Sequence, residues 1–222
     1  MYLNTKKMNF LILKKKLSNF ALKNKMITKC LFCSVVPKSF YLIKNFFMKT
    51  YKIKCYELKN LDLKKFINIK VNYKQIGSDR IANALSIINK KENFIIIDFG
   101  TATTFDVLIK KDYHGGVIAP GIKLSLNTLI DQATLIPSIN LKKTDKVIGS
   151  NTITAVRSGF FWGYAGLIDN IINLIKKETK RSFKIIITGG FSVLFKNSIN
   201  TKVILNKDIT VNGLIKASTL IR

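Results

Sequence analysis

The residues best suited to chemistry lie between Phe94 and Asp106, in the stretch FIIIDFGTATTFD. Four apolar residues lead into Asp98, and Gly100 and Thr101 follow it. Glycine lets the main chain approach a bulky anion, and threonine hydroxyls and loop N–H groups can donate to phosphate oxygens. A carboxylate beside them can hold a cation. The combination indicates a site for a phosphate and its cation, although a tight turn capped by Asp98 explains the tetrapeptide DFGT equally well.

The sequence around Asp98 predicts a β-hairpin that presents these residues at its bend. An apolar run bounded by a turn signal is typical of a buried strand, and residues 103–109 are rich in the β-branched and apolar types of a second strand. Further along, the patterns predict a turn at Gly115-Gly116, a strand at 117–119, a helix at 120–130, a long helix that follows Thr152 and runs through Lys177, a strand at 183–188 and a helix from Phe191. These alternating elements predict an α/β fold.

A second candidate site is the segment Gly77-Ser78-Asp79-Arg80, which stands at the entrance of a helix because apolar residues at helical spacing follow it. In one interpretation Ser78 or Asp79 caps the helix by accepting its first free N–H groups. In the other, a carboxylate beside a guanidinium at a helix N-terminus forms a site that also attracts an oxyanion. Taken alone, the segment favours the cap.

A third candidate is Gly189-Gly190, which separates the predicted strand at 183–188 from the next helix. Two glycines at this point let a base or a ribose lie against the main chain, and they also suit an ordinary strand-to-helix turn. Cys30 and Cys33 form a lone CxxC without a histidine cluster, so we expect free thiols in a reducing cytoplasm and no zinc site.

The charge of the chain is strongly positive: 38 Lys and Arg against 12 Asp and Glu give a formal net charge of +26. Such a charge suggests nucleic-acid binding, but the lysines are scattered through every segment, which favours incidental surface charge. Hydrophobic residues make up 47% of 222 residues, enough for a buried core. No apolar run approaches the roughly 18 residues of a membrane span.

Five blocks in a fixed order carry a resemblance to a known family: GSDR at 77–80, IDFGTATTFD at 97–106, GGVIAPG at 115–121, GSNT at 149–152 and ITGG at 187–190. Together they resemble the type III pantothenate kinases, from Cys30 to the C-terminus. The resemblance implies an acetate-kinase or actin-like (ribonuclease H-like) fold of two duplicated α/β halves. We expect the first half at residues 1–90 and the second at 91–222.

The resemblance also implies an activity. Members of the family are cytoplasmic homodimers that phosphorylate pantothenate with ATP, the first step of coenzyme A synthesis. They use Mg²⁺ or a similar divalent cation on the nucleotide, and K⁺ or NH₄⁺ as a monovalent cation. Membrane association and nucleic-acid binding are not expected.

The resemblance gives roles to individual residues. It implies that Asp79 is the base that takes the proton of the pantothenate hydroxyl. Asp98 would hold the monovalent cation. The substrate-binding residues would be Tyr73, Gly77, Ser78, Asp79, Arg80 and Thr152, and the ATP-binding residues would be Thr101, Gly189 and Gly190.

The sequence departs from the family before residue 57. The family opens with an Asp-x-Gly-Asn-Thr loop that holds the ATP phosphates and magnesium, whereas here Glu57 is the first acidic residue. The first half is therefore expected to be shortened at its N-terminus, and we expect the chain to bind pantothenate better than it turns over ATP. The alternative function is a catalytically impaired relic that acts as a binding or regulatory protein and contacts RNA through its basic surface.

Overall fold

The computed structural model describes residues 9–18, 27–34 and 36–221. Its helices and strands are α1 (Phe10–Ser18), β1 (Lys29–Phe32), α2 (Pro37–Tyr51), β2 (Lys54–Glu57), β3 (Asn68–Ile69), α3 (Ser78–Ile87), β4 (Asn93–Phe99), β5 (Ala102–Ile109), β6 (Asp112–Pro120), α4 (Ile122–Gln132), α5 (Thr152–Thr179), β7 (Lys184–Gly189), α6 (Ser192–Phe195), β8 (Val203–Leu205) and α7 (Ile209–Ser218). The mixture of helices and strands confirms the predicted α/β class.

The chain divides into two compact units. The first comprises the described residues up to Phe66 together with residues 72–87 and 210–221, and the second comprises residues 67–71 and 88–209. This division is made by contacts within the chain, whereas the predicted boundary at residues 90 and 91 concerns the duplication of the family. That boundary stays a prediction.

In the first unit, β1 and β2 form a parallel pair in which Cys30 lies opposite Cys55. Parallel neighbours need a crossover, and α2 supplies it. The helix begins at Pro37, a residue whose fixed φ suits the first turn. Its aromatic residues Phe46 and Phe47 are buried with residues of α1 and the strand pair. Burial of these aromatic rings holds the small sheet against its helices.

The second unit is built on a six-stranded mixed sheet with the order β3-β6-β5-β4-β7-β8. The strands β4, β5 and β6 are antiparallel neighbours, while β7 runs parallel to β4 and β8 runs parallel to β7. The predicted hairpin is therefore confirmed, with Gly100 and Thr101 at its bend. The parallel pair brings the end of β7 beside the end of β4.

The long helix α5 covers one face of this sheet. Its buried side chains recur at the three- and four-residue spacing of one helix face, at Phe161, Ala165, Ile168, Ile172 and Ile175. Asn151 caps the helix, because its side chain accepts the N–H of Thr154 while the Thr154 hydroxyl accepts the N–H of Asn151. No helix within the described ranges is long and apolar enough to cross a membrane.

The prediction of a turn at Gly115-Gly116 was wrong, because β6 runs through both glycines and the turn lies at Lys110 and Lys111. The register between β5 and β6 shifts beside Gly115, which has a φ of 99°. A Cβ at Gly116 would lie 1.6 Å from the carbonyl oxygen of Phe105. The two glycines thus serve a bulge and a close strand approach rather than a chain reversal.

Candidate active site

The predicted substrate residues other than Thr152 lie in the first unit, at or shortly before the start of α3. Asp79 is in the first turn and half-buried, and its Oδ1 accepts the backbone N–H of Arg80 at 2.9 Å. The cap interpretation of the segment is therefore found in the structure for Asp79. A carboxylate at this end of a helix is stabilised by the helix dipole. The bond to the main chain also fixes one oxygen of Asp79.

The hydroxyl of Ser78 does not cap the helix. It donates instead to Oε1 of Glu57 at 2.5 Å, and Ser78 itself is almost completely buried. The same Oε1 accepts the backbone N–H of Ser34 at 3.4 Å. Glu57 stands at the end of β2, so its carboxylate joins β2 to the start of α3 and to the segment after β1.

Sequence reasoning missed Glu57 as a residue of this region. The one available signal was that no acidic residue precedes it in the chain. Its electrostatic effect reaches neighbouring side chains. Burial, followed by the negative charges of Asp79 and Glu57, raises the pKa of the Cys33 thiol to about 11. Burial, with a contribution from Glu57, also raises the pKa of Tyr73.

Tyr73 belongs to a short 3-10 helix at Tyr73–Gln75 and is half-buried. Its hydroxyl donates to the carbonyl oxygen of Lys59 at 2.8 Å. The ammonium group of Lys59 lies 5.5 Å from the centre of the Tyr73 ring and donates to the carbonyl oxygens of Lys74 and Ile76. These contacts hold the segment that leads into Gly77 and α3.

The predicted nucleotide and cation residues lie in the second unit, where β4 and β7 end side by side. Phe99 pairs with Gly189, and the N–H of Gly190 donates to the carbonyl oxygen of Phe99 at 3.1 Å. Gly189 has a φ of 85°, and a Cβ there would lie 2.6 Å from Oδ1 of Asp98. The structure thus places Asp98 directly against Gly189, the first residue of the glycine pair.

Thr101 lies at the bend between β4 and β5 and is exposed. A Cβ at Gly121 would lie 1.9 Å from the Thr101 carbonyl oxygen, so the bend is packed against the start of α4. The structure therefore brings Asp98, Thr101, Gly189 and Gly190 to one edge of the sheet. Exposed N–H and hydroxyl groups at such an edge can receive phosphate oxygens.

Thr152 is the first residue of α5 and is exposed. The segment before it is closely packed, because a Cβ at Gly149 would lie 2.2 Å from the backbone nitrogen of Ala155. The hydroxyl of Ser158 also donates to the carbonyl oxygen of Val147. The loop before α5 is thus held against its first turns, with Thr152 on the open side.

The second carboxylate of the hairpin, Asp106, is a core residue. It is fully buried on β5, and its Oδ1 accepts the hydroxyl of Tyr113 at 2.5 Å. No group of three or more His, Cys, Asp or Glu side chains in the described part of the chain could hold a metal by itself. A cation at Asp98 would accordingly need further oxygen ligands from the main chain or from a bound phosphate.

Comparisons with known proteins give the relatives of this chain. The pattern of the type III pantothenate kinase family matches residues 4–174. A type III pantothenate kinase of Pelagibacter ubique is 74% identical over 218 residues, which cover 98% of this chain and 88% of the relative. Another, from Maricaulis maris, is 34% identical over 193 residues, which cover 86% of this chain and 74% of the relative.

A solved structure shows the fold independently. A protein assigned to the Baf family of transcriptional activators from Campylobacter jejuni aligns with a TM-score of 0.60 at 19% identity, covering 91% of this chain and 87% of that one. The family match and this alignment confirm the predicted actin-like α/β fold. By its family pattern and by its identity to these relatives, the chain belongs to the type III pantothenate kinase family.

Proposed function

We propose that the chain transfers the γ-phosphate of ATP to the hydroxyl group of pantothenate, forming 4'-phosphopantothenate and ADP. The observation that carries the proposal is the 74% identity to a type III pantothenate kinase across 98% of this chain. A kinase activity requires ATP and a divalent cation, which bridges the phosphates and offsets their charge.

At the acceptor end, Asp79 is proposed as the base that takes the proton of the pantothenate hydroxyl as its oxygen attacks the γ-phosphorus. Oδ1 is held by the N–H of Arg80, which fixes the carboxylate and leaves Oδ2 to accept the proton. A single positioned carboxylate is sufficient for this step. The proposed contacts to pantothenate come from Tyr73, Gly77, Ser78, Arg80 and Thr152, with Ser78 contributing its main chain because its hydroxyl donates to Glu57.

At the nucleotide end, Thr101 is proposed to donate to the ATP phosphates, and Gly189 and Gly190 to lie beside the adenosine. The support is that these residues share one edge of the sheet, where parallel strands β4 and β7 end. Phosphoryl transfer asks a protein mainly to align the reactants and to offset charge, and N–H and hydroxyl donors serve that purpose.

Asp98 is proposed to hold the monovalent cation, K⁺ or NH₄⁺. Its carboxylate lies at the end of β4, against Gly189 and beside the exposed bend at Thr101. Carboxylate, carbonyl and phosphate oxygens are the ligands that hard cations take. A monovalent cation held there would offset the charge of the nucleotide phosphates.

The chain is also proposed to act as a cytoplasmic homodimer. The outer side of α5 carries Gly159, Gly163 and Gly166, and a Cβ at any of them would meet no atom of the described residues within 4 Å. Among the described residues, these positions therefore leave open space beside the helix. Gly159 and Gly163, together with Phe160 and Leu129, border an apolar groove of about 370 Å³, which suits a second copy. Sedimentation of the purified chain tests this state.

The test of the proposed activity uses the whole chain with ATP, Mg²⁺, K⁺ and pantothenate. We expect ADP to form only when pantothenate is present, together with a product heavier by one phosphoryl group in mass spectrometry. Absence of that product, under conditions in which the Pelagibacter ubique relative forms it, would overturn the proposal. The non-catalytic alternative is not favoured, and salt-sensitive RNA binding by an inactive chain would revive it.

A further inference from the structure

We infer that Glu57 is a positioning residue for phosphoryl transfer: through the hydroxyl of Ser78 it fixes the first turn of α3 and so the carboxylate of Asp79. The inference rests on the proposed kinase function, because it gives Glu57 its role through the proposed base. It concerns residues of the first unit alone.

Oε1 of Glu57 accepts two hydrogen bonds from distant parts of the chain. The 2.5 Å bond from the Ser78 hydroxyl to Oε1 has the length of a charge-assisted bond to a carboxylate, stronger than a bond between neutral groups. The N–H of Ser34 adds a second, longer bond to the same oxygen. Glu57 thus ties together three segments that are far apart in sequence, at residues 34, 57 and 78.

The second oxygen of the Glu57 carboxylate is less well satisfied than the first. Oε2 of Glu57 is buried and accepts no hydrogen bond from any described residue. Within the described ranges, no lysine or arginine forms an ion pair with Glu57. A partly buried carboxylate with neutral donors alone is unfavourable for stability. An apolar residue at position 57 would leave the buried hydroxyl of Ser78 without its acceptor, so the acid is tied to the anchoring of Ser78.

The contact between Glu57 and Ser78 also affects the position of Asp79. The Ser78 hydroxyl donates to Glu57, and in the next residue the carboxylate of Asp79 accepts the N–H of Arg80. Ser78 and Asp79 are consecutive residues in one helical turn. A change in the Ser78 anchor therefore moves the main chain that carries Asp79, and rates of transfer are sensitive to displacements of about 1 Å.

The experiment measures steady-state kinetics of the whole chain and of Glu57→Gln, Ser78→Ala and the double variant, with Glu178→Gln as the matched control on the exposed end of α5. We expect Glu57→Gln to lower kcat roughly ten- to a hundredfold, with the KM for ATP unchanged. The double variant should be no worse than the more severe single variant, because both remove one contact. The control should match the wild type.

Two outcomes would overturn the inference. One is a Glu57→Gln variant with wild-type kcat. The other is a loss of kcat that only follows a loss of folded protein in thermal unfolding. If Glu57→Gln does not fold, Ser78→Ala becomes the test, since it breaks the same contact and keeps the charge of Glu57. A wild-type kcat in Ser78→Ala would then contradict the inference. A wild-type chain without turnover would instead overturn the proposed function itself.

Discussion

Gly189 lies directly against the carboxylate of Asp98: a Cβ at position 189 would be 2.6 Å from Oδ1 of Asp98 and 2.6 Å from the backbone nitrogen of Phe99. The same glycine has a φ of 85°, which side chains rarely adopt. At the end of β7 the carboxylate of Asp98 therefore packs directly against the main chain of Gly189. Any larger residue must displace either the carboxylate or the strand.

Gly189→Ala tests this contact. We expect the variant to lose about 1–3 kcal/mol of unfolding free energy, from the unfavourable φ and the forced shift of neighbouring backbone. Because the shift moves Asp98, the KM for ATP should rise as well. Urea denaturation and steady-state kinetics measure the two effects.

The matched control is Gly166→Ala on the exposed face of α5, where a Cβ meets nothing within 4 Å. Alanine is a better helix former than glycine, so this variant should be as stable as the wild type or more stable. Equal stability of both variants would contradict the close packing of Gly189 against Asp98.

Asp79→Asn tests the proposed base. Asparagine keeps an oxygen that can accept the N–H of Arg80, so the first turn of α3 should persist. It cannot take a proton at neutral pH, so kcat should fall by about 10²–10⁴, the usual contribution of a general base. A coupled assay of ADP formation measures kcat, and calorimetry measures retained binding of pantothenate. Wild-type kcat in this variant would remove Asp79 as the base, and Asp145→Asn on an exposed loop serves as the control.

The parts of the site that could be predicted from sequence are those built by neighbours in the chain. Asp98, Gly100 and Thr101 lie within four residues, and the hairpin that presents them follows from apolar runs on either side. The helix entrance at Asp79 was likewise local. In each case the residue types that form the turn or the cap are also those that mark it in sequence.

The parts that could not be predicted depend on contacts between distant segments. Glu57 is 21 residues from Ser78, and no pattern in a single sequence pairs them. Gly115 and Gly116 gave a turn signal, but their role is set by the opposing strand, where Phe105 and Asp106 approach the glycine main chain. The same pair of glycines occurs in turns and in β-bulges, and the partner strand determines which of the two structures forms.

The Cys33 thiol reports on the charge of Glu57 without any turnover. Burial and, to a smaller extent, the negative charges of Asp79 and Glu57 together raise its pKa to about 11. Removing a neighbouring negative charge favours the thiolate, so Glu57→Gln should lower the pKa of Cys33. Alkylation requires the thiolate, and at about pH 9 iodoacetamide should therefore label Cys33 faster in the variant.

Cys30 is the internal control for this measurement. Its pKa is also raised to about 11, but by burial and by Cys55, with no contribution from Glu57. Its labelling rate, followed by mass spectrometry in the same samples, should be unchanged. Faster labelling of both thiols would indicate general loosening of the first unit, and an unchanged rate at Cys33 would contradict the placement of Glu57 beside it.

Asp98→Asn tests the monovalent cation site. If the Asp98 carboxylate holds K⁺, the wild type should be faster in K⁺ than in Na⁺ or Li⁺ at equal ionic strength, because the larger ion fits a site of several oxygens without retaining water. Asparagine keeps one oxygen ligand but removes the negative charge, and affinity for hard cations depends on the charge of the ligands. We expect the K⁺ concentration for half-maximal rate to rise about tenfold or more, and the difference between K⁺ and Na⁺ to shrink.

Asp145→Asn removes one negative charge far along the sequence and should leave the K⁺ response as it is. A wild-type K⁺ response in Asp98→Asn would show that the cation is not bound by Asp98. The proposed roles of Thr101 and of the glycine pair would still stand, because they rest on main-chain and hydroxyl donors rather than on the carboxylate.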